Sequence, residues 1–101
     1  MRALSLIALL TLVGCPSTAP VPGVVTAADP QESAVLAQGH RIFSESCGSC
    51  HGHPDVTQKT ASEWPATVER MGAKADLSAD EVRAVTRFVL AARARAVQST
   101  P

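Results

Sequence analysis

Three stretches of the chain set apolar residues at helical spacing, and a fourth is apolar almost throughout. In residues 32–46, Val35, Leu36, Ile42 and Phe43 recur at that spacing, with Gln38, Arg41 and Glu45 on the other side. Gly39 lies one turn before Phe43. A glycine inside a helix costs stability relative to alanine, so its position predicts close approach by another helix. In residues 79–96, Val82, Val85, Phe88, Val89 and Ala92 line one face, while Arg83, Arg87 and Arg93 project elsewhere, toward solvent. Ser78-Ala79-Asp80-Glu81 reads as a capping box for this helix, and Leu77 and Val82 as its hydrophobic staple. Between the two, residues 62–72 offer Ser62 as an N-cap, Pro65 in a first turn and Gly72 as a stop. Trp64, Val68 and Met71 then share one face. No stretch alternates with period two. The pattern predicts an all-α domain of three or more helices over residues 33–97, with a disordered tail at 98–101.

The fourth stretch opens the chain. Arg2 is followed by a nearly unbroken apolar run from Ala3 to Val13, too short to anchor stably across a bilayer and suited to the core of a secretory signal. Leu12-Val13-Gly14-Cys15 resembles the lipobox of bacterial lipoprotein signals. That resemblance implies removal of residues 1–14 and a lipid on Cys15 as the new N-terminus. The other reading is ordinary signal cleavage nearby, which leaves Cys15 a free thiol in an oxidising compartment. Pro16 rather than aspartate follows Cys15, and by analogy with enteric lipoproteins this favours the outer membrane. Prolines at 16, 20, 22 and 30 make residues 15–32 a semi-rigid tether. At ~3.1 Å per residue its Pro-rich part, residues 16–30, spans up to ~45 Å.

Composition narrows what the helical part can be. The chain has 101 residues, no net formal charge, and Phe43, Trp64 and Phe88 as its only aromatics besides histidine. The charge balance gives no pull toward nucleic acid. Small apolar side chains bury little area each, so a domain of this size needs a staple: a disulfide, a metal or a large apolar cofactor.

Cys47-Gly48-Ser49-Cys50-His51 supplies the candidate. Cys-x-x-Cys-His is the attachment signature of c-type haem. Two thiols must add to the two vinyl groups of one porphyrin, two intervening residues on a helical turn set that separation, and the following imidazole can ligate the iron. Two other readings compete. A thioredoxin-like redox pair expects a βαβ context, which the pattern lacks. A zinc site drawing on Cys47, Cys50, His51 or His53 expects a second, separated pair of ligands. The haem reading also closes the cysteine count: Cys15 takes lipid, Cys47 and Cys50 take one covalent haem c.

From Gly39 to about Leu90 the chain resembles a small bacterial monohaem cytochrome c. The segment GHRIFSESCGSCHG is similar to the amino-terminal helix and haem-binding turn of that family, and EWPATVERMGAKADLSADEVRAVTRFVL to the second half of short periplasmic members. Gly39 and Phe43 match the family's helix-crossing positions, and Phe88 its carboxy-terminal aromatic. The resemblance implies helices wrapped around a covalent haem.

With His51 on the iron, one axial position is left for the chain to fill or leave open. Met71 lies 20 residues after His51 and is the one methionine outside the signal. It is the candidate sixth ligand, and the family resemblance gives a methionine here that role; as a core filler it would do what most methionines do. His53 is too near His51 to reach the opposite face, and His40 reads as a surface residue of the first helix. Pro54 is the only nearby proline that could offer a carbonyl to the proximal histidine. The Trp64 indole could bond a haem propionate or sit in the core; Arg70 could pair with a propionate or lie in solvent.

The expected protein is a membrane-tethered monohaem cytochrome c that carries single electrons between redox partners. It acts on no small-molecule substrate, binds no nucleic acid, and is not an enzyme. Its place is the periplasmic side of a bacterial envelope, anchored by lipid. The alternatives are a haem sensor or peroxidase-like protein with an open sixth position, and a CxxC thiol–disulfide lipoprotein.

Overall fold

A computed structural model of the chain describes residues 19–47 and 52–99. The signal segment, Cys15, Cys50 and His51 lie outside the described residues. Within them the protein is all-α, as the pattern predicts: α1 spans Pro30–Ser46, α2 Trp64–Lys74 and α3 Ala79–Ser99.

α1 begins two residues before the predicted start. The Asp29 carboxylate accepts from the Gln31 N–H at 2.8 Å, and Pro30 takes the first helical position, where its missing N–H costs nothing. The tether's last proline is therefore the helix's first residue. Ahead of it, the Ser33 hydroxyl donates to the Ala27 carbonyl and accepts from the Ala27 N–H, both at 2.8 Å. Val21 and Val25 pack against the core, so the second half of the predicted tether lies on the domain.

α1 and α3 cross at Gly39. A Cβ there would overlap the Ala84 carbonyl and lie 2.7 Å from the Phe88 Cβ, so the predicted close approach is present and its partner is Ala84. Leu36, Ile42 and Phe43 from α1 and Ala84, Val85, Phe88, Val89 and Ala92 from α3 are buried. An exposed Glu32–Arg87 ion pair ties the two helices at one edge. Arg93 is not simply solvated: its Nε–H donates to the Lys59 carbonyl at 2.8 Å and pins the loop before α2 onto α3.

Ser62 is not the N-cap expected of it: Glu63 directly precedes α2, and a reciprocal Thr60–Glu63 box closes the turn that leads in. The Thr60 N–H and hydroxyl donate to the Glu63 carboxylate at 3.1 and 2.8 Å, and the Glu63 N–H donates back to the Thr60 hydroxyl at 3.3 Å. The helix also runs past Gly72. It ends in a Schellman motif: Asp76 adopts φ 57°, the Leu77 N–H reaches the Gly72 carbonyl at 2.9 Å, and the Asp76 N–H reaches that of Ala73 at 3.4 Å. Gly72 serves packing rather than termination, because a Cβ on it would meet the Val82 Cγ2 at 2.7 Å.

The capping box of α3 is as predicted. The Ser78 N–H donates to the Glu81 carboxylate at 3.0 Å, and the Glu81 N–H to the Ser78 hydroxyl at 3.2 Å. The helix continues to Ser99, three residues beyond its predicted end, since no Gly or Pro interrupts it there. No helix among the described residues is long and apolar enough to cross a membrane.

Candidate functional site

α1 and α2 both dock on α3, and among the described residues no Cα of α1 comes within 8 Å of one in α2; the two meet only through side chains of the shared core. The gap between them is an apolar cleft. Phe43 and Cys47 line its α1 wall, Trp64, Val68 and Met71 its α2 wall, and Val85 and Val89 of α3 its floor, with Leu77 closing one end.

Cys47 is the C-cap of α1, its N–H donating to the Phe43 carbonyl at 3.3 Å. Its thiol is half-buried, and burial pushes its pKa up. The partial negative charge at a helix C-terminus also opposes a thiolate. Reactive thiols of disulfide oxidoreductases sit in the reverse setting, at helix N-termini or beside cations that depress the pKa.

Met71 is half-buried and shares the predicted face with Trp64 and Val68. Of the four residues read as holding a haem, the two that the structure describes, Cys47 and Met71, therefore meet in one cleft. Cys50 and His51 lie outside the described residues, as does the candidate lipidation site, Cys15.

The remaining candidates resolve differently. Trp64 is buried, and its indole N–H donates to the Val56 carbonyl at 2.8 Å, so it belongs to the core and its one polar atom is satisfied within the chain. Arg70 is exposed and Pro54 half-buried. His40 is half-buried rather than a freely solvated residue, its ring edge-on to Phe88 at 5.3 Å between centroids. His53 lies on the Phe43 ring and bonds the Ser44 carbonyl.

Val56, buried in the core beside Trp64, and Leu77, which lines the cleft, were not singled out as site residues, because both lie between helices; Leu77 was read only as the staple of α3. Each follows a turn-forming residue, Asp55 and Asp76, which was the available signal. A second, open groove of about 600 Å³ runs between α2 and α3, lined among others by Pro65, Glu69, Leu77, Val82, Arg83 and Arg87. Neither of the two described candidate ligands, Cys47 and Met71, lines it.

The cleft suits a haem in its chemistry. It offers a thiol on one wall and a soft thioether on the other, amid apolar side chains, and no buried side-chain polar atom among the described residues lacks a partner. Its present volume, about 30 Å³, admits no more than about two waters. A macrocycle fits only if the walls part, which the absence of α1–α2 backbone packing permits. Comparison of the chain with protein-family models, curated proteins and solved structures finds no match.

Proposed function

We propose that this chain is a membrane-tethered, monohaem c-type cytochrome that carries single electrons between protein partners. The observation that carries the reading is the convergence of Cys47 and Met71, 24 residues apart, on one apolar cleft between two helices whose backbones stay apart.

Haem, when bound, supplies an iron that gains and loses one electron. The rest belongs to the chain. Cys47 and Cys50 would hold the porphyrin through thioethers, and His51 and Met71 would hold the iron. Ligands kept in both oxidation states would keep reorganisation small, and a Met71 thioether would favour the reduced form relative to a second histidine. Phe43, Trp64, Val68, Val85 and Val89 exclude water and lower the local dielectric. The environment of Cys47 speaks against a thiol–disulfide role, since burial and the helix terminus both disfavour its thiolate. A lipid on Cys15 would confine the domain near its partners and raise their effective concentration.

The test is a visible spectrum of the oxidised and reduced protein, matured in a host that attaches c-type haem, beside Met71→Ala. The reading expects covalent haem, a low-spin reduced form, and a methionine–iron charge-transfer band that the substitution abolishes. A high-spin spectrum indifferent to Met71 would move the assignment to a sensor or enzyme. A chain without haem, with Cys47 and Cys50 both alkylatable, would overturn it.

A further inference from the structure

His53 is not one of the residues that the haem reading requires, yet it joins the two flanks of the CGSCH segment. Gly52, directly after His51, adopts φ 80°, a left-handed turn that a side chain would strain. The turn brings the His53 ring back to the end of α1. There its Nε2 lies 3.0 Å from the Ser44 carbonyl. A carbonyl only accepts, so Nε2 carries the hydrogen and donates. Ser44 lies in the last turn of α1, where carbonyls draw partners from beyond the helix, and the imidazole is such a partner. The ring also leans on Phe43, 5.4 Å between centroids at 36°. Phe43 in turn accepts the Cys47 N–H and lines the cleft beside the thiol.

We propose that His53 is a positioning residue for haem attachment: by holding Gly52 and His53 against Phe43 and Ser44, it fixes the exit of the Cys-x-x-Cys-His segment relative to its entry and so holds Cys47 in the cleft. This rests on the cytochrome reading for its purpose, though not for its geometry. The ring supplies contact and Nε2 supplies the hydrogen bond, so two substitutions separate them. His53→Phe keeps a ring on Phe43 and removes the donor. His53→Gln keeps an N–H donor at similar reach and removes the ring.

Two measurements on the full chain test the proposal. On haem-free protein, the rate of Cys47 alkylation is followed by mass spectrometry, with the circular dichroism melting curve as the control for folding. On protein from the haem-attaching host, the share of chains carrying haem on both thiols is measured. His53→Phe is expected to melt within a few degrees of wild type, to alkylate Cys47 several-fold faster and to lower the doubly attached share several-fold. His53→Gln is expected to restore both toward wild type. Equal alkylation in wild type and His53→Phe overturns the proposal, as does unchanged attachment. A wild-type chain that takes no haem overturns the cytochrome reading and with it the purpose assigned to His53; faster alkylation in His53→Phe alone would then sustain only the clasp.

Discussion

A methyl group on Gly39 would sit inside the Ala84 carbonyl, a backbone group of α3 that cannot rotate away. Overpacking of this kind costs about 1–3 kcal/mol, against up to about 1 kcal/mol gained in helix propensity. Gly39→Ala should therefore destabilise the domain by about 1–2 kcal/mol in urea unfolding. Gly72→Ala should cost less, because the atom in its way is the Val82 Cγ2, the end of a side chain. Trp64 makes the opposite case, of a group whose loss leaves something unmet. Trp64→Phe strands the buried Val56 carbonyl and opens space beside it. About 2–3 kcal/mol should be lost, in haem-free protein as well, which a role confined to haem contact would not produce. Gly39 was legible because a glycine amid a helical repeat has few other reasons to be there. The partner of the Trp64 indole was not, since Val56 belongs to no periodic segment.

At the scale of helices, the ends decided what the sequence could reveal. Ser78 and Glu81 flank an unambiguous apolar repeat, and their box is where it was expected. Thr60 and Glu63 make the same box, but three residues of turn separate Thr60 from α2, so Ser62 stood nearer the repeat and drew the assignment. Gly72 looked like a stop because glycine commonly is one; the left-handed position belongs instead to Asp76. Asp76→Gly should then raise stability by about 0.5 kcal/mol, read as a higher urea midpoint. The two boxes also contribute to the acid limb of stability. The Ser78 N–H and hydroxyl hold the Glu81 carboxyl below the usual glutamate range, and the Thr60 groups do the same for Glu63. A folded-state pKa below the unfolded value contributes stability above the unfolded value and loses it as pH falls through the folded one. Stability should thus decline as pH falls through and below the ordinary glutamate range. Glu81→Gln, which keeps the reach of the box but not its charge, should flatten that decline in a series of melts at stepped pH, at the cost of a somewhat lower melting temperature at neutrality.

For the molecule as a whole, the decisive contrast is between a firm pair of helices and one that leans on it. α1 and α3 share a glycine crossing and an edge ion pair, whereas α2 makes backbone contact only with α3 among the described residues and meets α1 through side chains around the cleft. This arrangement was legible as three helices but not as a cleft, because periodicity reports which face is apolar and not which faces go unmatched. The N-terminal side was read least well: proline content marked residues 15–32 as spacer, yet Val21 and Val25 lie on the core and Pro30 opens α1. Under the proposed lipid anchor Cys15 stands only six residues before the docked Val21, a reach of at most about 20 Å, and the domain would work close to the bilayer rather than ~45 Å from it. Cys15→Ser should move the protein from the membrane fraction to the soluble one while leaving its visible spectrum and melting curve unchanged. A Val21→Asp, Val25→Asp pair should do the reverse, keeping the protein on the membrane but lowering its melting temperature, because the segment is undocked and not cut. Soluble protein before the Cys15 substitution would remove the anchor from the proposal, and a melting curve indifferent to the paired aspartates would return residues 21–25 to the spacer.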